Sequence, residues 1–149
     1  MSTLVMSRSR AERIRVSRLI AVAAAMATAL GVWVIAELAF GIDLRAPSFD
    51  GSLEPLPIQV QDVLMVSTML SFAAWAAMAV LERLTTRARQ AWLVIAIATL
   101  GLSLATPLAG SGVSLLDRGV LMLMHVAVGS VLIPALYWSS PRREEHALE

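Results

Sequence analysis

The chain has 149 residues, of which 58% are apolar and 15% charged, with a mean hydropathy of +0.74. A soluble domain carries roughly a quarter charged residues, so that class is excluded. The formal net charge is +1 and cysteine is absent, which removes disulfides, thiolate metal sites and thiol catalysis.

The apolar excess collects into four runs of about 20 residues, the length a helix needs to cross roughly 30 Å of hydrocarbon. The expected fold is all-α: an integral membrane protein built as an antiparallel bundle of four transmembrane helices. The connections left over are too short for a second domain.

Residues 1–18 form an Arg-rich segment (Arg8, Arg10, Arg13, Arg15, Arg18) ahead of the first run. An apolar helix follows at once, so this segment reads as a topogenic anchor beside anionic headgroups and not as a nucleic-acid site. The first helix is expected at about 19–40. Its apolar stretch runs well beyond the 7–15 residues of a secretory signal, so it reads as a retained helix. Residues 41–57, GIDLRAPSFDGSLEPLP, contain three prolines and two glycines that oppose regular structure. The second helix is expected at about 59–81, with Asp62 in its first turn at the positive end of the helix dipole. RLTTRAR then turns the chain.

The third helix is expected at about 91–108, with Trp92 at an interface and Pro107 near its end. AGSGVSLLDR reads as a short turn. The fourth is expected at about 118–138, with Tyr137 and Trp138 as an aromatic anchor and Pro134 as a local kink. The tail, 139–149, is polar, and His146 within it carries no weight.

All twelve basic residues are Arg. Ten lie in the N-terminal segment, the second connection (Arg83, Arg87, Arg89) and the tail (Arg142, Arg143), against Arg45 and Arg118 in the other two connections. Positive residues stay inside, so both termini are expected in the cytoplasm. Arg without Lys, with abundant Ala, suggests a GC-rich bacterial genome and hence the cytoplasmic (inner) membrane.

Helix association in lipid relies on small residues that allow close approach. Ala23, Ala27 and Gly31 offer such a face on the first helix, Ser67, Ser71 and Ala74 on the second, and Gly101 and Ala105 on the third.

Ionisable groups at membrane depth are the default functional candidates, because burying them is costly. His125 falls about 9–10 Å below the outer end of the fourth helix, counting 1.5 Å per residue. Glu37 lies about one turn below the outer end of the first helix, and Asp62 marks the outer start of the second. The same count puts Ser67, Thr68 and Ser103 in nearly the same layer as His125. An outer-half polar pocket of His125, Glu37, Asp62, Ser67 and Ser103 is therefore one reading. The plainer one is that His125 bonds to Ser103 or Ser67 and locks neighbouring helices while the carboxylates reach the interface.

No phosphate-binding loop, dinucleotide turn, HExxH or nucleophile elbow is present, and no catalytic residue or metal site is assigned. No cofactor is expected. A b-type haem would need a second axial ligand besides His125, from Met65, Met69, Met124 or a second chain, and the methionines read more simply as flexible apolar filler.

Several strings carry a family resemblance: GIDLRAP after the first helix, LERLTTRAR after the second, LSLATPL late in the third and LMHVAVGSVLIPAL in the fourth. Together they resemble a family of small actinobacterial membrane proteins, the domain of unknown function 6069, across about residues 19–138. Thr86 stands where that family has Pro. The resemblance implies a four-helix membrane protein and no established activity. Small multidrug-resistance transporters match poorly, because their first-helix Glu belongs near mid-membrane and Glu37 lies near the outer end.

The function expected is that of a non-enzymatic accessory protein that binds lipid, another membrane protein or further copies of itself. Two other classes are a small oligomeric proton-coupled transporter using Glu37 and His125, and a quinone- or haem-handling redox protein around His125.

Overall fold

The computed structural model describes residues 2–47, 54–109 and 112–140, with side chains from residue 11 onward. Four helices dominate: α1 (Ser2–Val34), α2 (Val60–Leu84), α3 (Ala88–Ala109) and α4 (Leu115–Ser139). Each contains a span long and apolar enough to cross a membrane. The part of the tail from residue 141 on, including His146, lies outside the described residues, as do Asp50 and the GS pair at 110–111.

α1 begins much earlier than its apolar run. Ala, Met, Arg and Glu are good helix formers, so the Arg-rich stretch continues the same helix. Its 33 residues span about 50 Å, well beyond the hydrocarbon core. After Val34 the helix widens into a π-helical turn, Ile35–Ala39. Gly41 then takes φ +63°, a left-handed conformation that suits glycine, and the Ile42 N–H closes onto the Ala36 carbonyl at 3.0 Å.

The described ends of the connection that follows pair as short strands despite their prolines. Arg45–Ala46 (β1) pairs antiparallel with Leu56–Pro57 (β2), Arg45 opposite Pro57 and Ala46 opposite Leu56. Leu44, 1% exposed, anchors this hairpin against the bundle. Burial of one leucine holds backbone that the prolines would otherwise leave open.

α2 is capped by Gln59, whose backbone N–H donates to Asp62 Oδ2 at 2.9 Å. α4 starts three residues before its apolar run. Ser114 and Asp117 form a reciprocal capping box: Asp117 N–H donates to Ser114 Oγ at 3.1 Å, and Ser114 N–H donates to Asp117 Oδ2 at 3.3 Å. α4 continues unbroken through Pro134.

The helices run up and down in the ring order α1–α2–α3–α4, with α1 packed most extensively on α4 and α2. Ala25 and Ala29 of α1, Val63 and Met78 of α2, Trp92 and Ala96 of α3, and Val128, Leu132 and Leu136 of α4 form the core. Trp92 is thus a core residue, 4% exposed, and donates its indole N–H to the Ile133 carbonyl at 3.1 Å.

The small-residue faces divide. Ser67 and Ser71 of α2 are buried, 6% and 0% exposed. On α1 the packed alanines are Ala25 and Ala29, whereas Ala23 and Ala27 point outward. A Cβ at Gly31 or Gly101 would meet nothing within 4 Å, but one at Gly129 would meet Leu100 Cδ2 at 3.0 Å. The close helix approach is therefore at Gly129, between α3 and α4.

Candidate functional site

The five side chains expected to share a pocket are placed on four helices, each with a local hydrogen-bond partner. His125 is half-buried, and its Nδ1 lies 2.7 Å from the Leu121 carbonyl one turn back. A carbonyl only accepts, so Nδ1 carries the proton in this contact. Ser103 donates to Leu100 O at 2.7 Å, and Ser67 to Leu64 O at 3.3 Å. Such bonds to the preceding turn satisfy a hydroxyl inside an apolar helix without a partner on another helix. One turn further along α2, Ser71 is buried with its Oγ unpartnered among the described residues.

Helix register still sets Ser103 at about the level of His125 along the bundle. Trp92–Ile133, Leu100–Gly129 and Leu108–Arg118 are successive contacts between α3 and α4, and the same antiparallel spacing puts Ser103 opposite His125. They share a layer, yet no hydrogen bond joins them among the described residues.

Glu37 and Asp62 each hold a piece of backbone at one end of the bundle, and among the described residues no hydrogen bond joins them. Glu37 sits in the π-helical turn, and its Oε1 accepts the Leu44 N–H at 3.0 Å. The Leu44 carbonyl accepts the Ile58 N–H at 2.9 Å, and the Ile58 carbonyl accepts the Trp33 indole N–H at 3.1 Å. Trp33 and Glu37 are four residues apart along the chain, so the bonds close a circuit through both sides of the loop. Asp62 caps the helix that leaves it.

This circuit frames a cleft of about 470 Å³. Trp33 lines it from α1, Glu37 from the π-helical turn, Asp43, Leu44 and Arg45 from the first half of the loop, and Pro57, Ile58, Gln59 and Val60 from its second half and the start of α2. Asp43 and Arg45 lie on either side of buried Leu44. Helices that widen to i→i+5 bonding do so frequently at functional sites. Sequence periodicity carries no mark of that widening, which is why the cleft is not legible in the sequence. A broader hollow of about 720 Å³ lies along Glu12, Arg13, Val16, Ser17 and Ile20, with walls from α1 alone among the described residues.

The opposite end holds polar contacts that the Arg distribution alone conceals. Arg18, its side chain 5% exposed, donates through Nη2 to Glu82 Oε1 at 2.5 Å and through Nε to Ser139 Oγ at 3.1 Å. This ties α1 to α2 and α4. Arg89 of α3 donates to the Ser140 carbonyl, and its guanidinium lies 5.4 Å from the Tyr137 ring centroid. All four helices are thus joined by Arg side chains at this end. The signal in the sequence is Glu82, an acid beside an apolar run in an otherwise basic connection.

Among the described residues no group of three or more His, Asp or Glu is placed to hold a metal ion.

Four apolar, membrane-length helices packed into a bundle, with a polar cleft at one end, define a small multi-pass membrane protein. A family model described as a family of unknown function (DUF6069) matches residues 9–142, and the chain belongs to that family. No curated protein and no solved structure matches it.

Proposed function

We propose that this protein is a non-enzymatic component of the bacterial cytoplasmic membrane that works by binding a membrane constituent, with both termini cytoplasmic. The observation that carries this reading is the division of labour among its polar residues. His125, Ser67 and Ser103 bond to their own helices, while Glu37 and Trp33 frame a cleft at the end of the bundle. A site there meets the lipid–water interface and not the interior of a translocation path. The ten-to-two distribution of Arg supports the orientation.

A proton-coupled carrier would need Glu37 and His125 to exchange a proton, and among the described residues no hydrogen bond links them. A redox role would rest on the Nε2 of a single half-buried imidazole. Binding of a lipid is therefore the preferred function, and a partner protein the alternative occupant.

Native mass spectrometry of protein released from a mild detergent tests the reading. The expected result is a stoichiometric adduct of phospholipid mass. A bare chain recovered repeatedly, or a quinone or haem adduct, would contradict it.

A further inference from the structure

The cleft presents both signs of charge. Glu37 and Asp43 supply formal negative charges and Arg45 a positive one, so the lining carries a formal charge of −1. One oxygen of Glu37 is held by Leu44, and the other has no hydrogen bond among the described residues. Asp43 and Arg45 have no hydrogen-bond or ion-pair partner among them either, although each lines the same cleft. Charged side chains that face a common space without pairing to each other are available to an incoming group of mixed charge.

Apolar surface lies next to this polar mouth. Leu38, Phe40 and Leu56 are 77%, 72% and 63% exposed. Val60 and Leu64 follow down the outer face of α2, 40% and 36% exposed. An amphiphile lying there would place its head among the charges and its chains along the apolar side chains. The volume, about 470 Å³, is within the usual range for small-molecule sites.

Resting on the lipid-binding reading above, we propose that the cleft receives the headgroup of a zwitterionic, amine-bearing phospholipid of the phosphoethanolamine type. The primary ammonium donates to Glu37 and Asp43, and the phosphate faces Arg45. An ammonium has three donors and no acceptor, which suits carboxylates, while a guanidinium matches phosphate geometry. An anionic phosphoglycerol headgroup lacks the ammonium and meets a net negative lining. A choline headgroup carries the same charge but donates no hydrogen bond. The other end of the bundle differs: Arg13, Arg15, Arg83 and Arg87 lie there, which suits anionic lipids. The two ends would then read different headgroups.

The test titrates the full-length, delipidated protein in detergent with phosphatidylethanolamine, phosphatidylcholine and phosphatidylglycerol, separately and in competition, with native mass spectrometry as readout. Phosphatidylethanolamine should be retained about tenfold more tightly than either of the others, the scale of one charge-assisted hydrogen bond. Glu37→Gln and Asp43→Asn should abolish that preference, and Arg45→Gln should weaken all three phospholipids. Glu37→Gln keeps an acceptor for the Leu44 N–H, and the Asp43 and Arg45 variants carry the test if that one fails to fold. Equal retention of the three lipids, or a preference the variants leave intact, overturns the headgroup assignment while lipid binding stands. Retention of no lipid overturns both.

Discussion

Trp33 at the end of α1 and Glu37 in the π-helical turn that follows hold the two sides of one loop. The indole N–H donates to the Ile58 carbonyl at 3.1 Å, and the Glu37 carboxylate accepts the Leu44 N–H at 3.0 Å. A loop rich in proline is thereby fixed to the bundle end, and the cleft exists because of it. Trp33→Phe keeps an aromatic ring and removes the donor, leaving one carbonyl without its partner at a cost of about 1–2 kcal/mol. Amide hydrogen exchange should accelerate at Leu44 and Ile58 while the helix cores stay protected. Unchanged exchange at both amides would contradict the circuit.

The Arg18–Glu82 ion pair should matter to stability more than an exposed pair. Removing one partner of a buried pair costs about 3–5 kcal/mol, and the 23% exposure of Glu82 reduces this to about 1–3 kcal/mol. Arg18→Gln and Glu82→Gln should each lower the thermal midpoint in detergent. Arg18→Met with Glu82→Leu should recover much of the loss, because the apolar pair leaves no buried charge. Additive losses in the double variant would show that the residues act separately.

Packing makes a sharper distinction among glycines than their spacing does. Gly129→Leu drives a side chain into Leu100 and should cost about 1–3 kcal/mol. Gly31→Leu and Gly101→Leu enter open space and should leave the thermal midpoint nearly unchanged. The reverse order would refute the α3–α4 contact.

The helices are legible in the sequence because an apolar run of membrane length has few alternatives. The faces are not. In an alanine-rich helix such as α1 small residues recur on several faces, so Ala23 and Ala27 present the same spacing as buried Ala25 and Ala29. Only the partner helices decide between them. Arg18 reads as topogenic in the sequence, and its partner lies 64 residues away, beyond any local pattern. Ser114 and Asp117 do carry a readable signal, the capping box that moves the start of α4 into the preceding turn. Glu37 and Asp62 stand out by their depth, yet their geometry depends on a π-helical turn and a hairpin that hydropathy does not encode. His125 and Ser103 each bond to the preceding turn of their own helix, a choice that the rise per residue does not encode.

The proposed orientation rests on the Arg distribution and is open to direct test. Reporter fusions at Ser52 and Gly112 should read as external, and a fusion at Thr86 as cytoplasmic. The opposite pattern would overturn the assignment and put the cleft on the cytoplasmic face.

The most direct test of the central claim is photocrosslinking in native membranes from a reactive side chain at Val60, on the cleft lining, with Ile97 on the outer face of α3 as the control. Val60 should capture an amine-bearing phospholipid at a frequency well above its share of the membrane, and Ile97 should capture the bulk lipid mixture. The same mixture at both positions, or a protein captured at Val60 in place of lipid, would contradict the account.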